Sequence, residues 1–363
     1  MPLKCGIIGL SGSGKTTLFN CISNNRAETH QAVFAGTKSN LGVVNVPDAR
    51  LQAIDKIIKS AKVIHTTIDM VDIPGLIKGG SQTEGNKFLA DIRNVDALIH
   101  VIRCFDDPQM PHPEGSVNPL RDMEIVDLEL QVKDLESVEK KIGRTEKLIR
   151  AGEKEGKHVL EVLNKMKTHL ESFQSARTAP MSEEERRHLE DLFLLSDKPV
   201  MFVCNVDDAS ALSGNSFSAQ FIESVKGHGA EALVIAAKME SEIAELDSEE
   251  DRQAFLADAG LKEPGVNRLV RTAFHLLDQQ CFFTAGPKEV RAWTIRKGMT
   301  APQAAGVIHS DLERGFIRAE VMRYDDFISY GSEHACREHG KLLIEGKNYV
   351  VGDGDILHIR FNV

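Results

Sequence analysis

Residues Gly9-Leu10-Ser11-Gly12-Ser13-Gly14-Lys15-Thr16 constrain the fold of this chain more than any other stretch. They stand between Cys5-Gly6-Ile7-Ile8, apolar like a buried parallel strand, and Thr17 to Ile22, amphipathic like a helix. A strand, a glycine-rich turn closing on Gly-Lys-Thr and a helix, in that order, are the parts of a phosphate-binding loop. Glycine lets backbone amides approach phosphate oxygens, and the helix N-terminus adds its positive dipole end. The pattern predicts that Gly9, Gly12, Ser13, Gly14, Lys15, Thr16 and Thr17 hold the phosphates of a nucleoside triphosphate. Within it, Lys15 is the expected catalytic cation at the β- and γ-phosphates, and the Thr16 hydroxyl the expected Mg²⁺ ligand. The implied fold class is α/β, a doubly wound, mostly parallel P-loop NTPase sheet.

At 363 residues the chain has room for two or three domains, and 27% charged with 42% apolar residues is ordinary globular composition. No run is long and apolar enough to span a membrane, and the N-terminus enters the first strand with no leader pattern. Six scattered cysteines show neither metal-ligand spacing nor a disulfide framework, which suits a reducing, cytoplasmic setting. A net charge of −10 argues against a protein that coats nucleic acid by charge alone, while leaving room for a local basic surface.

Further along stand the other parts of a nucleotide switch. Thr67 to Val71 reads as a strand ending in Asp72-Ile73-Pro74-Gly75, which places Asp72 where open α/β sheets bind ligands. Asp72 is the expected water-mediated Mg²⁺ ligand, the Gly75 amide the γ-phosphate sensor, and Lys78-Gly79-Gly80-Ser81 the segment the phosphate orders. Two further apolar strands, Ala97–Ile102 and Pro199–Cys204, follow; the second delivers Asn205-Val206-Asp207-Asp208, similar to the base-reading Asn-Lys-x-Asp of GTPases. After Leu233-Val234-Ile235, the run Ala236-Ala237-Lys238 is similar to the loop that backs the base. Each alone is an ordinary strand-end turn; their order and spacing make the nucleotide reading.

Residues 125–197 form an insertion. Ile125, Leu128, Val132, Leu135, Val138 and Ile142 recur by threes and fours, predicting a coiled-coil seam. A second arm with Val159, Leu163, Met166 and Leu170 follows Ala151-Gly152, and the heptads are few enough that an antiparallel hairpin is expected. Ser182 and Glu185 make a capping box for a helix running toward Leu195. Lys133, Lys140, Lys141, Arg144, Lys147 and Arg150 are candidates for RNA phosphates, though interleaved glutamates also describe a plain solvated face. The expected organisation is a nucleotide-binding domain in two parts, 1–124 and 198–277, around insertion 125–197, with a small α+β domain at 278–363. In that last domain, strands over Val290–Ile295, Phe316–Val321 and Ile356–Phe361 are expected, with a helix from Thr300 to Ile308.

The chain resembles the Obg-like ATPase (YchF) family of translation-factor-related P-loop proteins over nearly its whole length. The most specific stretches are Phe282–Gly286, Lys288–Trp293, Ala301–His309, Glu313–Glu320 and Arg360–Val363. The resemblance implies that the C-terminal domain is a ubiquitin-like TGS domain. It also implies a cytoplasmic protein that hydrolyses ATP with Mg²⁺, binds the ribosome, its large subunit or rRNA, and acts in translation or stress control. No membrane association is expected, and a monomer is.

The chain also departs from its relatives. They usually carry a switch threonine two residues after a phenylalanine; here Phe34-Ala35-Gly36-Thr37 puts glycine there, leaving Thr37 as the candidate metal ligand. Ser11-Gly12-Ser13 replaces their Pro-Asn-Val. Asp208 restores a GTPase-like carboxylate where they have glutamate, while apolar Val206 follows the family, so both ATP and GTP stay open. Leu76 occupies the place of the water-orienting glutamine, and the loop residue His112, matching a histidine of relatives, is the expected substitute. Two readings follow: a slow ATPase, or a nucleotide-gated ribosome- or RNA-binding module with negligible hydrolysis; a GTP-specific GTPase is the variant of the first.

Overall fold

Strand and helix alternate from the N-terminus: β1 (Lys4–Ile8), α1 (Lys15–Asn24), β2 (Asn40–Asn45), α2 (Ala49–Ile58), β3 (Val63–Ile64), β4 (Thr67–Asp72), α3 (Gln82–Arg93) and β5 (Ala97–Arg103). Two long helices, α4 (Pro119–Arg150) and α5 (Gly156–Glu171), precede β6 (Val200–Asn205) and β7 (Ala232–Ile235). The chain closes on β8 (Gln279–Ala285), β9 (Val290–Arg296), β10 (Phe316–Met322), β11 (Leu342–Glu345) and β12 (Ile356–Phe361), with shorter helices between. The computed structural model describes residues 3–24, 40–75, 82–152, 156–226 and 230–362.

Two compact units result: 1–42 with 69–269, and 43–68 with 270–363. The first is built on a six-stranded sheet ordered β2-β4-β1-β5-β6-β7, in which β4, β1, β5, β6 and β7 run parallel. Every residue of β5 and β6 is buried, as expected of central parallel strands covered on both faces. Their largely apolar runs are what made them legible.

One central residue breaks that apolar rule. His100 on β5 is 1% exposed, and neither ring nitrogen has a hydrogen-bond partner. Burial, reinforced by the charges of Arg177 and Lys15, pushes its pKa down to about 3, so the ring is neutral. The native pKa lies below the unfolded value near 6.5, so this contribution to stability is complete above 6.5 and is lost as pH falls toward 3. Each pH unit in that window removes roughly 1.4 kcal/mol. His100→Phe is therefore expected to flatten the acid side of the stability profile; denaturant midpoints at pH 7 and 5 that fall equally in both proteins would refute this.

The α4–α5 hairpin forms as expected, but its seam is displaced. Leu135, Val138 and Ile142 pack with Val159, Leu163, Met166 and Leu170. Leu128 and Val132, expected in that seam, are instead 42% and 50% exposed. The first turns of α4 turn a different face inward, sending Val126 and Leu130 into the sheet's core. One helix thus serves two cores in succession, so a single heptad register cannot describe it. Buried Asp134 fixes the return of the chain: its carboxylate accepts from the backbone N–H of Leu195 and Ser196, both at 2.7 Å. The Ser182–Glu185 capping box is present, yet its helix ends at Arg187 rather than near Leu195. Among the proposed RNA-binding cations, Lys133 and Lys140 face Glu136 and Lys141 meets Asp191, in keeping with the solvated-face alternative.

The second unit holds the sheet β11-β10-β12-β8-β9-β3. The helix Ala301–Ile308 packs Ala301, Ala304 and Ala305 onto its apolar face. Its backbone start is held by the Gln303 side chain, which accepts from the Thr300 N–H at 2.8 Å. Residues 43–68 belong here by contact, although the sequence reading placed them in the nucleotide domain. Strand β3 pairs in parallel with β9, and Arg50 on α2 forks onto Asp353 at 2.8 and 3.2 Å. Asp353 in turn accepts from the Cys281 N–H. A two-residue strand and one arginine carry no local signature of so distant a partner.

Candidate functional site

The carboxyl ends of β1, β4, β5 and β6 surround an open cleft of about 680 Å³. The turn after β1 forms its floor, as the glycine spacing requires. Gly14 has φ near +94°, and the Asn205 side chain lies against it, so neither the backbone nor the space admits another residue. Lys15 is only 6% exposed, with its Nζ 2.6 Å from the Leu10 carbonyl oxygen. Burial lowers the pKa of that ammonium to about 8, with the Asp72 carboxylate opposing the shift. Among the described residues the cation is thus held at the cleft floor by one carbonyl, ready to exchange it for a stronger anionic partner.

Thr16 and Asp72 meet as the motif order implied. The Thr16 hydroxyl donates to Asp72 Oδ2 at 3.1 Å. The other carboxylate oxygen is buried with no partner, and burial raises the pKa of the group despite Thr16 and Lys15. An orphaned buried oxygen beside a hydroxyl, next to the phosphate cradle, is a donor set that suits a hydrated Mg²⁺. Gly75 closes this end: a Cβ there would stand 2.7 Å from Lys15 Nζ and 3.0 Å from the Ser11 nitrogen. Only glycine allows its backbone that near.

Asn205 lines the cleft and at the same time holds two backbone groups behind it. Its Nδ2 donates to the Ser13 carbonyl at 2.9 Å, and its Oδ1 accepts from the Ala237 N–H at 2.9 Å. It clamps the phosphate loop to the loop after β7. Beyond it, Val206, Asp208, Ala237 and Lys238 line the far end of the cleft. The Lys238 ammonium stands 3.5 Å from Asp208 Oδ2, while Asp208 Oδ1 is buried without a partner. A free carboxylate oxygen there can accept a hydrogen bond from the edge of a base. Ser11, Gly12, Thr16 and Thr17 line the phosphate end; Gly9, Ser13 and Ala236 stand behind the wall.

His112 is elsewhere. Its ring is 4% exposed, with Nε2 2.8 Å from Asp122 Oδ2 on α4 and Nδ1 accepting from the Glu114 N–H at 3.1 Å. Arg121 holds the other oxygen of Asp122 at 2.9 Å. In this arrangement neither ring nitrogen is free for a water, and the residue does not line the cleft. Thr37 and the preceding Phe34-Ala35-Gly36, together with Leu76 and Lys78–Ser81, lie outside the described residues.

Sequence reasoning missed Phe105, Asp107 and Met110, which close the cleft from the loop after β5, and Arg103 behind them. The signal was a charged residue ending an otherwise apolar run, Ala97 to Arg103.

A strand–loop–helix cradle with a buried lysine, an adjoining Thr–Asp pair and a base-end carboxylate defines a P-loop nucleoside triphosphatase. A family model described as "50S ribosome-binding GTPase" matches residues 4–165, and a YchF C-terminal model, described as a protein of unknown function, matches 279–362. The chain is 45% identical to the ribosome-binding ATPase YchF of Bacillus subtilis and 43% identical to that of Escherichia coli O157:H7, covering 100% of both chains in each case. Its fold is similar to that of the Schizosaccharomyces pombe YchF GTPase, with a TM-score of 0.87 and 32% identity over 99% of this chain and 98% of the other. This chain belongs to the ribosome-binding ATPase YchF family.

Proposed function

We propose that this chain is a slow, Mg²⁺-dependent ATPase whose nucleotide state governs its docking on the ribosome or large ribosomal subunit, in translation or stress control. The observation that carries this reading is the cleft itself, where Lys15, the Thr16–Asp72 pair and the Asp208 carboxylate stand in the order phosphate, metal, base. The names of the Bacillus subtilis and Escherichia coli relatives supply the ribosome and ATP, while the Schizosaccharomyces pombe relative is named a GTPase. A cytoplasmic monomer is the expected form, and six buried free thiols suit a reducing compartment. Among the described residues no helix is long and apolar enough to cross a membrane.

Mg²⁺ held by Thr16 and, through water, by Asp72 would neutralise charge on the β- and γ-phosphates. The chain's own groups orient the rest. Lys15 and the loop amides grip the phosphates, Gly75 offers its amide beside the γ-phosphate, and Val206 and Lys238 flank the base. Water attacks the γ-phosphorus as the bond to the β–γ bridging oxygen breaks, releasing ADP and phosphate. His112 accepts the proton of that water at Nδ1, once its ring leaves both Asp122 and the Glu114 N–H.

The pairing of His112 with Asp122 favours one second reading, a nucleotide-gated binding module with negligible hydrolysis. Phosphate release that rises with potassium or ribosomes supports the enzyme; a rate that stays at background in both settings supports the module. Base choice is tested by calorimetry with Mg²⁺ and either ATP or GTP, on the wild type and Asp208→Glu. Tighter ATP binding in the wild type is expected. Tighter GTP binding, weakened by glutamate, would make this a GTPase, and binding of neither would refute the assignment of the cleft.

A further inference from the structure

The last residue of β5 has no place in the scheme above. Arg103 is 2% exposed, and no carboxylate pairs with it among the described residues. A buried guanidinium ordinarily has its charge matched and its donors filled. Here Nε donates to the Phe105 carbonyl at 3.1 Å and Nη2 to the Met110 carbonyl at 2.6 Å. The guanidinium carbon also lies 4.6 Å from the centre of the Phe105 ring. The third nitrogen, Nη1, is buried with no acceptor among the described residues. It stands 3.6 Å from the point a Cβ on Gly12 would occupy, so the idle donor is beside the phosphate-binding loop.

Two independent observations converge on this side chain. Its filled donors define the course of residues 105–110, the stretch from which Phe105, Asp107 and Met110 close the cleft and which leads on to His112. Its unfilled donor borders the loop that would cradle a triphosphate. Arg103 is also paired in register with Asn205, which clamps the next residue of that loop, Ser13. The ends of β5 and β6 therefore brace adjacent residues of the cradle.

We propose that Arg103 is a positioning residue that couples the charge of a bound triphosphate to the loop 104–118. Without a bound anion, the guanidinium is a buried cation with an idle donor, compensated among the described residues by two carbonyl dipoles and the face of the Phe105 ring. A polyanion in the neighbouring cradle supplies the missing negative charge at low local dielectric, where such attraction is strong. That attraction draws the guanidinium, and the carbonyls it holds, toward the phosphates, tightening the loop over the cleft. Lysine retains the charge but cannot hold two carbonyls in a planar fork while presenting a third donor.

This inference rests on the reading of the cleft as a nucleoside triphosphate site, and the test separates the two. Calorimetry on the full chain first establishes binding of ADP and of a non-hydrolysable ATP analogue. Amide hydrogen exchange over 104–118 is then followed in the free, ADP-bound and analogue-bound protein. Protection is expected to rise in that order, with at least tenfold slowing between free and analogue-bound states. In Arg103→Lys the nucleotide-dependent slowing is expected to vanish and kcat to fall at least tenfold, with the analogue Kd within about threefold of wild type. Binding of the analogue with unchanged exchange in the wild type overturns this inference alone, and that arm needs no variant to fold. Arg103→Lys that melts as a folded protein, keeps the exchange difference and keeps kcat within twofold also overturns it. Absence of any nucleotide binding overturns the cleft assignment and the inference with it.

Discussion

Replacing His112 by alanine is expected to lower kcat for ATP roughly a hundredfold while leaving the nucleotide Kd within about twofold, the scale of a lost general base. The residue lies on the loop that closes the cleft but does not line it, so affinity has little reason to change. Its Nε2 is 2.8 Å from Asp122, and both side chains are nearly sealed from solvent, at 4% and 5% exposure. A ring that acts on the attacking water must first part from Asp122. Asp122 is on α4, the first arm of the helical hairpin, so a partner that moves the hairpin moves the acceptor that retains His112. Asp122→Ala tells catalysis from mere tethering. If the histidine only anchors the loop, breaking the pair from either side costs the same, and Asp122→Ala will be as slow as His112→Ala. If the histidine acts on water, Asp122→Ala keeps or raises the unstimulated rate. Unchanged kcat in His112→Ala would remove the residue from the mechanism.

Asn205→Ala is expected to destabilise the first unit by roughly 2–5 kcal/mol, because it leaves two buried backbone groups unpaired at once. The Ser13 carbonyl loses its donor and the Ala237 N–H loses its acceptor, each from a bond of 2.9 Å. For a unit of this size the melting midpoint should drop by roughly 5–15 °C. Nucleotide affinity should fall at least tenfold, since the phosphate loop and the loop behind the base lose their common brace. Asn205→Asp provides the control. It keeps an acceptor for Ala237 but sets a carboxylate oxygen against the Ser13 carbonyl, so the phosphate side alone is disturbed. Calorimetry and thermal melts on both variants measure the effects; a melting midpoint within 2 °C of wild type for the alanine variant would show that the amide carries no such load.

How far the fold was legible depends on the range of the interactions that specify it. The strands of the nucleotide unit were readable because central parallel strands are apolar throughout, and β5 and β6 are buried at every position. The capping box at Ser182 was readable because its two hydrogen bonds span three residues. The seam of α4 was misread in part because Leu128 and Val132 have the right spacing but lie on a face that stays 42% and 50% exposed. The grouping of residues 43–68 with the second unit has no local signal, because β9 and Asp353, which bind part of them, are more than two hundred residues away in the chain.

The site divides in the same way. Glycine spacing, Lys15, Thr16 and the order of the strand-end motifs are local chemistry, and by themselves they determined a phosphate cradle on an α/β sheet with its metal-side pair and its base end. Which way each side chain turns was decided only in three dimensions. Asn205 braces the cradle because the Ser13 carbonyl and the Ala237 N–H both lie within reach of its amide. His112 is held on α4 because Asp122 offers it a buried carboxylate. Arg103, an unremarked end to an apolar run, lies between the cradle and the cleft-closing loop because β5 ends between them. Spacing along a chain specifies which atoms a loop can present; only packing decides what those atoms find opposite them, and buried polar groups, costly to leave unpaired, take whatever partner the fold supplies.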